Sequence, residues 1–393
     1  QMSCRGIEVR FDQRRSTLAR GMAQAATSAG GELVDDPQLL DKLASICGIP
    51  GVVVGEFDTR YLALPREVLT ASLRDHQSAL TVEAKGALLP CFLTVMDRND
   101  DPADRVQAGN EWVVEARLDD ARFFYGEDRK TSLTERRPAL DHLVFHAQLG
   151  TYADKTERIV ELTESLCEVL GWKEEQADAM AAANLLKVDL TTEMVKEFTS
   201  LQGIMGGVYA REDGESEPVW SAIYDQYLPA SIEDSIPRSR TGQANAIADR
   251  VDTLVGMFGL GLIPSGSRDP FGLRRAAQGL VKIVFEAALP LDLDMVAALA
   301  ARLYGDRIER GGEEILATLR PFVHDRVRHL LGLEGYAYDT IEAGLAAGSS
   351  NLPDLRSRVA ALHRIREEPA FLSVVLAAKR IANIVKETPE QEL

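Results

Sequence analysis

TGQANAIADRVDTLVGMF, residues 241–258, and RDPFGLRR, residues 268–275, together decide the fold. The first carries helical periodicity up to the interruption at Pro264, and the second opens a further helical segment over 270–287. Asp269-Pro270 is a start signal: an N-cap carboxylate accepts from the orphan amides of a first turn, and proline at the first helical position lacks an N–H that would go unsatisfied. This spacing predicts Arg274 and Arg275 one turn inside the helix on adjacent faces, one pointing toward Asp249 or Asp252 and the other free for an anion.

Working outward, helical periodicity recurs over 152–170, 174–186, 190–200, 217–228, 293–304, 311–331 and 354–365, broken at Gly171, Gly203, Pro229, Pro264 and Pro290. Strand signals almost vanish after residue 145. Before it the pattern is mixed: helices over 13–28 and from Pro37 to Ile46, a buried strand over Gly51-Val-Val-Val-Gly-Glu-Phe, a helix from Pro65 to about His76, a hairpin of 79–83 and 88–95, and a long helix from about Asp104 to Phe123. The fold class is therefore mainly α. An α+β region over 1–145 precedes one helical domain over 146–290 and another over 291–393.

The 393 residues include 44 basic and 61 acidic ones, a net charge of −17. That balance argues against a free-standing nucleic-acid binder, which needs a positive footprint. Pro237 to Arg275 is the exception, with six arginines (Arg238, Arg240, Arg250, Arg268, Arg274, Arg275) against Asp249, Asp252 and Asp269. No run approaches the roughly 18–20 apolar residues of a membrane helix, which predicts a soluble chain with no membrane partner. Cys4, Cys47, Cys91 and Cys167 lie far apart, as expected of buried thiols in a reducing cytoplasm.

Few stretches carry the marks of chemistry. Leu201-Gln-Gly-Ile-Met-Gly-Gly is a glycine-rich turn without the preceding strand or the Gly-Lys-Ser/Thr of a phosphate loop, so it reads as a packing turn. His142 and His146 stand four apart, a spacing that on a helix places both imidazoles on one face as a metal site requires, with lone structural histidines as the alternative. His324-Asp325 sits among Arg320, Arg326 and Arg328 and reads as the polar face of an amphipathic helix. No nucleophile elbow occurs, and no catalytic residue is expected.

Three blocks carry a resemblance. Lys187-Val-Asp-Leu-Thr-Thr-Glu-Met-Val-Lys-Glu-Phe-Thr-Ser-Leu-Gln-Gly-Ile-Met-Gly, Ala248-Asp-Arg-Val-Asp-Thr-Leu-Val-Gly and Ser265-Gly-Ser-Arg-Asp-Pro-Phe-Gly-Leu-Arg-Arg-Ala-Ala closely resemble the β subunit of the bacterial tetrameric glycyl-tRNA synthetase. The likeness extends upstream through Leu64-Pro-Arg-Glu-Val-Leu, Arg74-Asp-His-Gln, Ala116-Arg-Leu-Asp-Asp-Ala-Arg-Phe-Phe and Asp154-Lys-Thr-Glu-Arg, and downstream to Ala378-Lys-Arg-Ile-Ala-Asn-Ile. Ser78-Ala79-Leu80 and Trp112 depart from the family pattern. The sequence reads as a middle portion, with the family's N-terminal part expected before Gln1 and its anticodon-binding helical domain after Leu393.

The resemblance implies a tRNA-handling subunit of a glycine–tRNA ligase. It would bind and position tRNA(Gly) for aminoacylation by a partner α subunit that uses ATP, in a cytoplasmic assembly of two α and two β chains, with no cofactor on this chain. It also implies that residues 146–290 form an HD-like domain whose metal site is degenerate: Lys187 with Asp189 stands at the His-Asp position, and Asp249 or Asp252 is the later aspartate. An ammonium there repels a cation and offers no lone pair, so no metal is expected, and Lys187 is expected instead to pair with an aspartate of the old site. Arg238, Arg240, Arg268, Arg274 and Arg275 are the candidate tRNA contacts, with a structural ion pair as the alternative for Arg274 or Arg275. A stand-alone RNA-binding derivative and a metal-dependent HD phosphohydrolase are the competing functions.

Overall fold

The computed structural model describes residues 7–348 and 350–386. Its helices, in chain order, are α1 (Phe11–Ser28), α2 (Pro37–Ile46), α3 (Arg66–Ala71), α4 (Arg105–Asp128), α5 (Leu133–Arg136), α6 (Tyr152–Leu170), α7 (Gln176–Leu185), α8 (Glu193–Glu197), α9 (Ile204–Glu212), α10 (Glu217–Tyr224), α11 (Arg240–Gly259), α12 (Leu273–Glu286), α13 (Leu293–Tyr304), α14 (Gly312–Leu333), α15 (Tyr338–Ala346), α16 (Leu352–Ile365) and α17 (Pro369–Lys386). Strands are β1 (Glu32–Leu33), β2 (Pro50–Glu56), β3 (Leu80–Ala84), β4 (Ala87–Asp97), β5 (Val144–His146) and β6 (Gly150–Thr151). The chain is mainly helical with small antiparallel sheets.

It divides into two compact units that cut the sequence differently from the expected boundaries at 145 and 290: residues 1–139 with 187–215, and residues 140–186 with 216–393. The first unit holds an antiparallel sheet in the order β1-β3-β4-β2. Leu18, Met22 and Ala26 of α1 and Leu39, Leu43 and Ala44 of α2 pack with Leu80, Val82, Cys91 and Leu93 into one core cluster, the alternate positions of each strand supplying its inner face. Gly55 is required by close approach, since a Cβ there would stand 2.3 Å from the Phe92 ring.

Residues 187–215 join this unit through the C-terminal end of α4. The buried Asp128 carboxylate accepts from the amides of Glu193 and Met194 at the start of α8, each at 2.9 Å, and from the Tyr209 hydroxyl at 3.0 Å. Arg129 adds ion pairs to Glu212 (2.9 Å) and Asp213 (2.6 Å). Each bond joins residues more than sixty positions apart, which no local pattern records.

In the second unit α11 is the central element. All but Arg240, Gln243 and Thr253 of its 20 residues are buried, as expected of a helix wrapped on every side by neighbours. α6, α7, α10, α12, α13 and α14 supply that wrapping. α11 brings Asn245, Asp249, Arg250 and Asp252 inside with it, and such groups are tolerated only when partnered.

Several local expectations are corrected. The segment 190–200 is three short pieces, 3-10 turns over Val188–Thr191 and Thr199–Leu201 flanking α8. Of the glycines at 203, 206 and 207 only Gly203 makes a turn, with φ +81°; the other two lie inside α9. His142 ends a 3-10 turn and His146 ends β5, so no helix presents the pair on one face. Cys47, Cys91 and Cys167 are buried free thiols, and burial pushes Cys167 up to about 11; Cys4 lies outside the described residues.

Candidate nucleic-acid interface

The loop between α11 and α12 does not follow the predicted helix start. Pro270 and Phe271 lie in a turn, Gly272 adopts the left-handed conformation at φ +65°, and α12 opens only at Leu273. Asp269 still caps the helix, accepting from the amides of Leu273 (2.8 Å) and Arg274 (2.9 Å). Gly272 is the physical reason for the shift: a residue in that conformation cannot continue a right-handed helix backward to Pro270. Arg274 and Arg275 thus occupy the first turn rather than the second.

Neither arginine meets Asp249 or Asp252. Arg274 folds back over the loop and donates to the carbonyls of Gly266 (2.6 Å) and Arg268 (3.3 Å), bracing the turn from within. Arg275 is exposed, and so is Arg268; neither guanidinium has an acidic partner among the described residues. Arg238 binds the buried Asp225 carboxylate through two parallel bonds of 2.8 Å, which raise its pKa, and keeps 54% of its side chain in solvent. Arg240 pairs with Glu175 at 3.0 Å, lies 5.6 Å from the Trp172 ring and is 60% exposed. The sixth arginine of the window is structural. Arg250 is buried, donates to the carbonyls of Gln226, Tyr227, Leu228, Pro229 and Ala246, and is lowered to about 10 by desolvation.

The aspartates of α11 are held by residues the sequence reading did not single out. Lys155 of α6 places its Nζ 2.9 Å from Asp249 Oδ1, 2.8 Å from Asp252 Oδ2 and 2.8 Å from Thr253 Oγ1. Arg158, one turn along, reaches Asp252 Oδ1 at 2.6 Å and stacks 4.0 Å from the Tyr304 ring. Burial alone would lower Arg158, yet the Asp252 carboxylate reverses this and holds it above its ordinary value. Tyr304 is driven well up by desolvation and by the same carboxylate, and its hydroxyl donates to the Asp252 carbonyl at 2.9 Å. A signal was present: Lys155 and Arg158 share the face of Ile159 and Leu162, so two cations sit on the stripe α6 buries.

Lys187 and Asp189 belong to the first unit. Asp189 is buried, accepts from the Gly203 amide and leaves its Oδ1 without a hydrogen-bond partner; desolvation pushes it up to about 6. Among the described residues no group of three or more His, Cys, Asp or Glu side chains is placed to hold a metal ion. Among the described residues no helix is long and apolar enough to cross a membrane.

A family model described as the glycyl-tRNA synthetase beta subunit matches residues 1–346. The chain belongs to the glycyl-tRNA synthetase beta subunit family. Curated glycine–tRNA ligase beta subunits of Acidobacterium capsulatum, Nitratidesulfovibrio vulgaris strain DP4 and Moorella thermoacetica are 40%, 41% and 40% identical to it, over 98%, 97% and 96% of this chain. In each case the match takes in 55% of the relative, so the chain spans about half the length of the curated beta subunits it matches.

Proposed function

We propose that the chain is the RNA-handling portion of a glycine–tRNA ligase beta subunit, binding and positioning tRNA(Gly) while a partner alpha subunit activates glycine with ATP. The observation that carries the reading is the family match over residues 1–346. Arg268 and Arg275, exposed in a chain of net charge −17 and lacking acidic partners among the described residues, support a local anion contact. Arginine suits it, since its planar fork binds phosphate oxygens bidentately at any working pH. The assembly would hold two alpha and two beta chains in the cytoplasm, with ATP bound by the alpha subunit and no cofactor on this one. Residues 146–290 would be an HD-like domain that has lost its metal chemistry, a reading supported by the Lys155 ammonium standing against both Asp249 and Asp252 where a cation would need free carboxylate lone pairs.

Binding of a tRNA(Gly) transcript across a salt series tests the reading. A steep fall of affinity with salt is expected, together with restored glycylation when alpha subunit and any missing beta portion are supplied. Affinity no better than that of an equally acidic control protein, or glycine-dependent pyrophosphate exchange by this chain alone, overturns it.

A further inference from the structure

The α11–α12 loop builds a hollow that phosphate contacts do not explain. Leu262, Ile263, Pro264, Arg268, Pro270 and Phe271 line an open depression of about 370 Å3, including the solvent at its mouth. Phe271 is 41% exposed, and His146 meets its ring edge-on at 5.9 Å, which fixes the ring's orientation while leaving much of it in water. A lone exposed phenylalanine needs no explanation. This one stands in the same hollow as a second exposed apolar side chain, Ile263 at 38%, and as Arg268, whose guanidinium has no acidic partner among the described residues.

The loop is also braced. Arg274 ties it to the carbonyls of Gly266 and Arg268, Asp269 ties it to the first amides of α12, and the Arg268 amide donates to the Ser265 carbonyl at 3.0 Å. Because Asp269 consumes those α12 amides, they are not what a ligand would meet. What remains is an exposed aromatic ring on a braced loop that also carries Arg268.

We infer that the Phe271 hollow is a subsite for an unpaired nucleotide, the base stacking on Phe271 and Arg268 taking the adjoining phosphate. A base in a duplex has both faces covered and cannot use the step, whereas an unpaired base has a free face, and stacking on an aromatic side chain tolerates any base identity. The inference rests on the RNA-binding reading above and adds a preference for single-stranded over paired segments.

The test measures binding of a 2-aminopurine-labelled single-stranded RNA of about 12 nucleotides, and of the same strand annealed to its complement, to the chain and to Phe271→Ala, Phe271→Trp and Arg268→Ala. Expected is tighter binding of the single strand, quenching of 2-aminopurine on binding, and a loss of roughly 5- to 100-fold for the single strand in Phe271→Ala with duplex affinity unchanged; Phe271→Trp retains both affinity and quenching. Arg268→Ala should weaken both RNAs and lower the salt slope by about one. Melting temperatures of the variants establish that each is folded, and should Phe271→Ala fail to fold, loss of the strand preference in the milder Phe271→Leu replaces it. If the chain binds tRNA and both RNAs but the Phe271 variants keep the wild-type ratio of single strand to duplex, the subsite is wrong while RNA binding stands. If the chain binds no RNA, both fall.

Discussion

Lys155 Nζ stands 2.8 Å from Asp252 Oδ2 in the interior of the second unit, an ammonium and a carboxylate both withdrawn from water. Removing one partner of such a pair strands a buried charge, at a cost of about 3–5 kcal/mol. Lys155→Met should lower unfolding free energy in urea titrations by less than that, because Arg158 still meets the Asp252 carboxylate. Adding Asp249→Asn should restore part of it, because the second change removes one of the two carboxylates that Lys155 neutralises. Strict additivity of the two losses would show that Lys155 and Asp249 are not coupled.

The arginines of the 238–275 window should separate by what they touch. Arg238→Ala leaves Asp225, 1% exposed, without its bidentate partner and should cost roughly 1–3 kcal/mol. Arg275→Ala removes an exposed side chain and should shift stability by less than about 0.5 kcal/mol. In tRNA binding, Arg275→Ala is expected to reduce the log–log salt slope by about one. Thermal melts and salt titrations on the same two variants check the division, and equal melting shifts would contradict it.

Close packing around α11 sets a third expectation. A Cβ at Gly256 would lie 2.3 Å from the Tyr304 hydroxyl oxygen and 2.9 Å from Leu149 Cδ1. Gly256→Ala must displace Tyr304 from its bond to the Asp252 carbonyl, and overpacking of this kind costs about 1–3 kcal/mol. Calorimetric melting of this variant beside Gly109→Ala, where a Cβ meets nothing within 4 Å, isolates the steric part.

Stability should also depend on Asp189. Its carboxyl is pushed from 3.8 up to about 6 by burial, so the folded chain favours the protonated form. The stabilisation it contributes is complete below the ordinary carboxylate value and is lost as pH rises through about 6. Asp189→Asn keeps an acceptor for the Gly203 amide and cannot ionise. Its stability relative to the parent should therefore improve by on the order of 2–3 kcal/mol between about pH 4 and about pH 7.5. A pH-independent difference between the two proteins would place the Asp189 ionisation elsewhere.

Much was readable from the sequence alone, and for identifiable reasons. α2, α6 and α13 end where their caps and breakers place them: Asp36 and Pro37 open α2, the Thr151–Asp154 capping box opens α6 and Gly171 closes it in the left-handed conformation, and Asp292 caps α13. These signals are local, so a local pattern carries them. The arginine-rich window was visible as charge, and family membership was visible in ordered motifs. Four helices, α5, α9, α15 and α17, were not anticipated, α9 because its glycines read as a turn.

Tertiary structure alone decided how those pieces combine. Composition changes near residue 145, yet residues 187–215 pack with the first unit because Asp128 at the end of α4 receives the amides that open α8, a bond between groups sixty-five positions apart. Helical periodicity places Asp249 and Asp252 on α11, yet both meet Lys155 of α6 rather than the nearby arginines at 274 and 275. Gly272, by turning left-handed, points Arg274 back into its own loop and leaves Arg275 in water. Charge can be counted along a chain, whereas partnership depends on which groups meet in space, and that is set by packing.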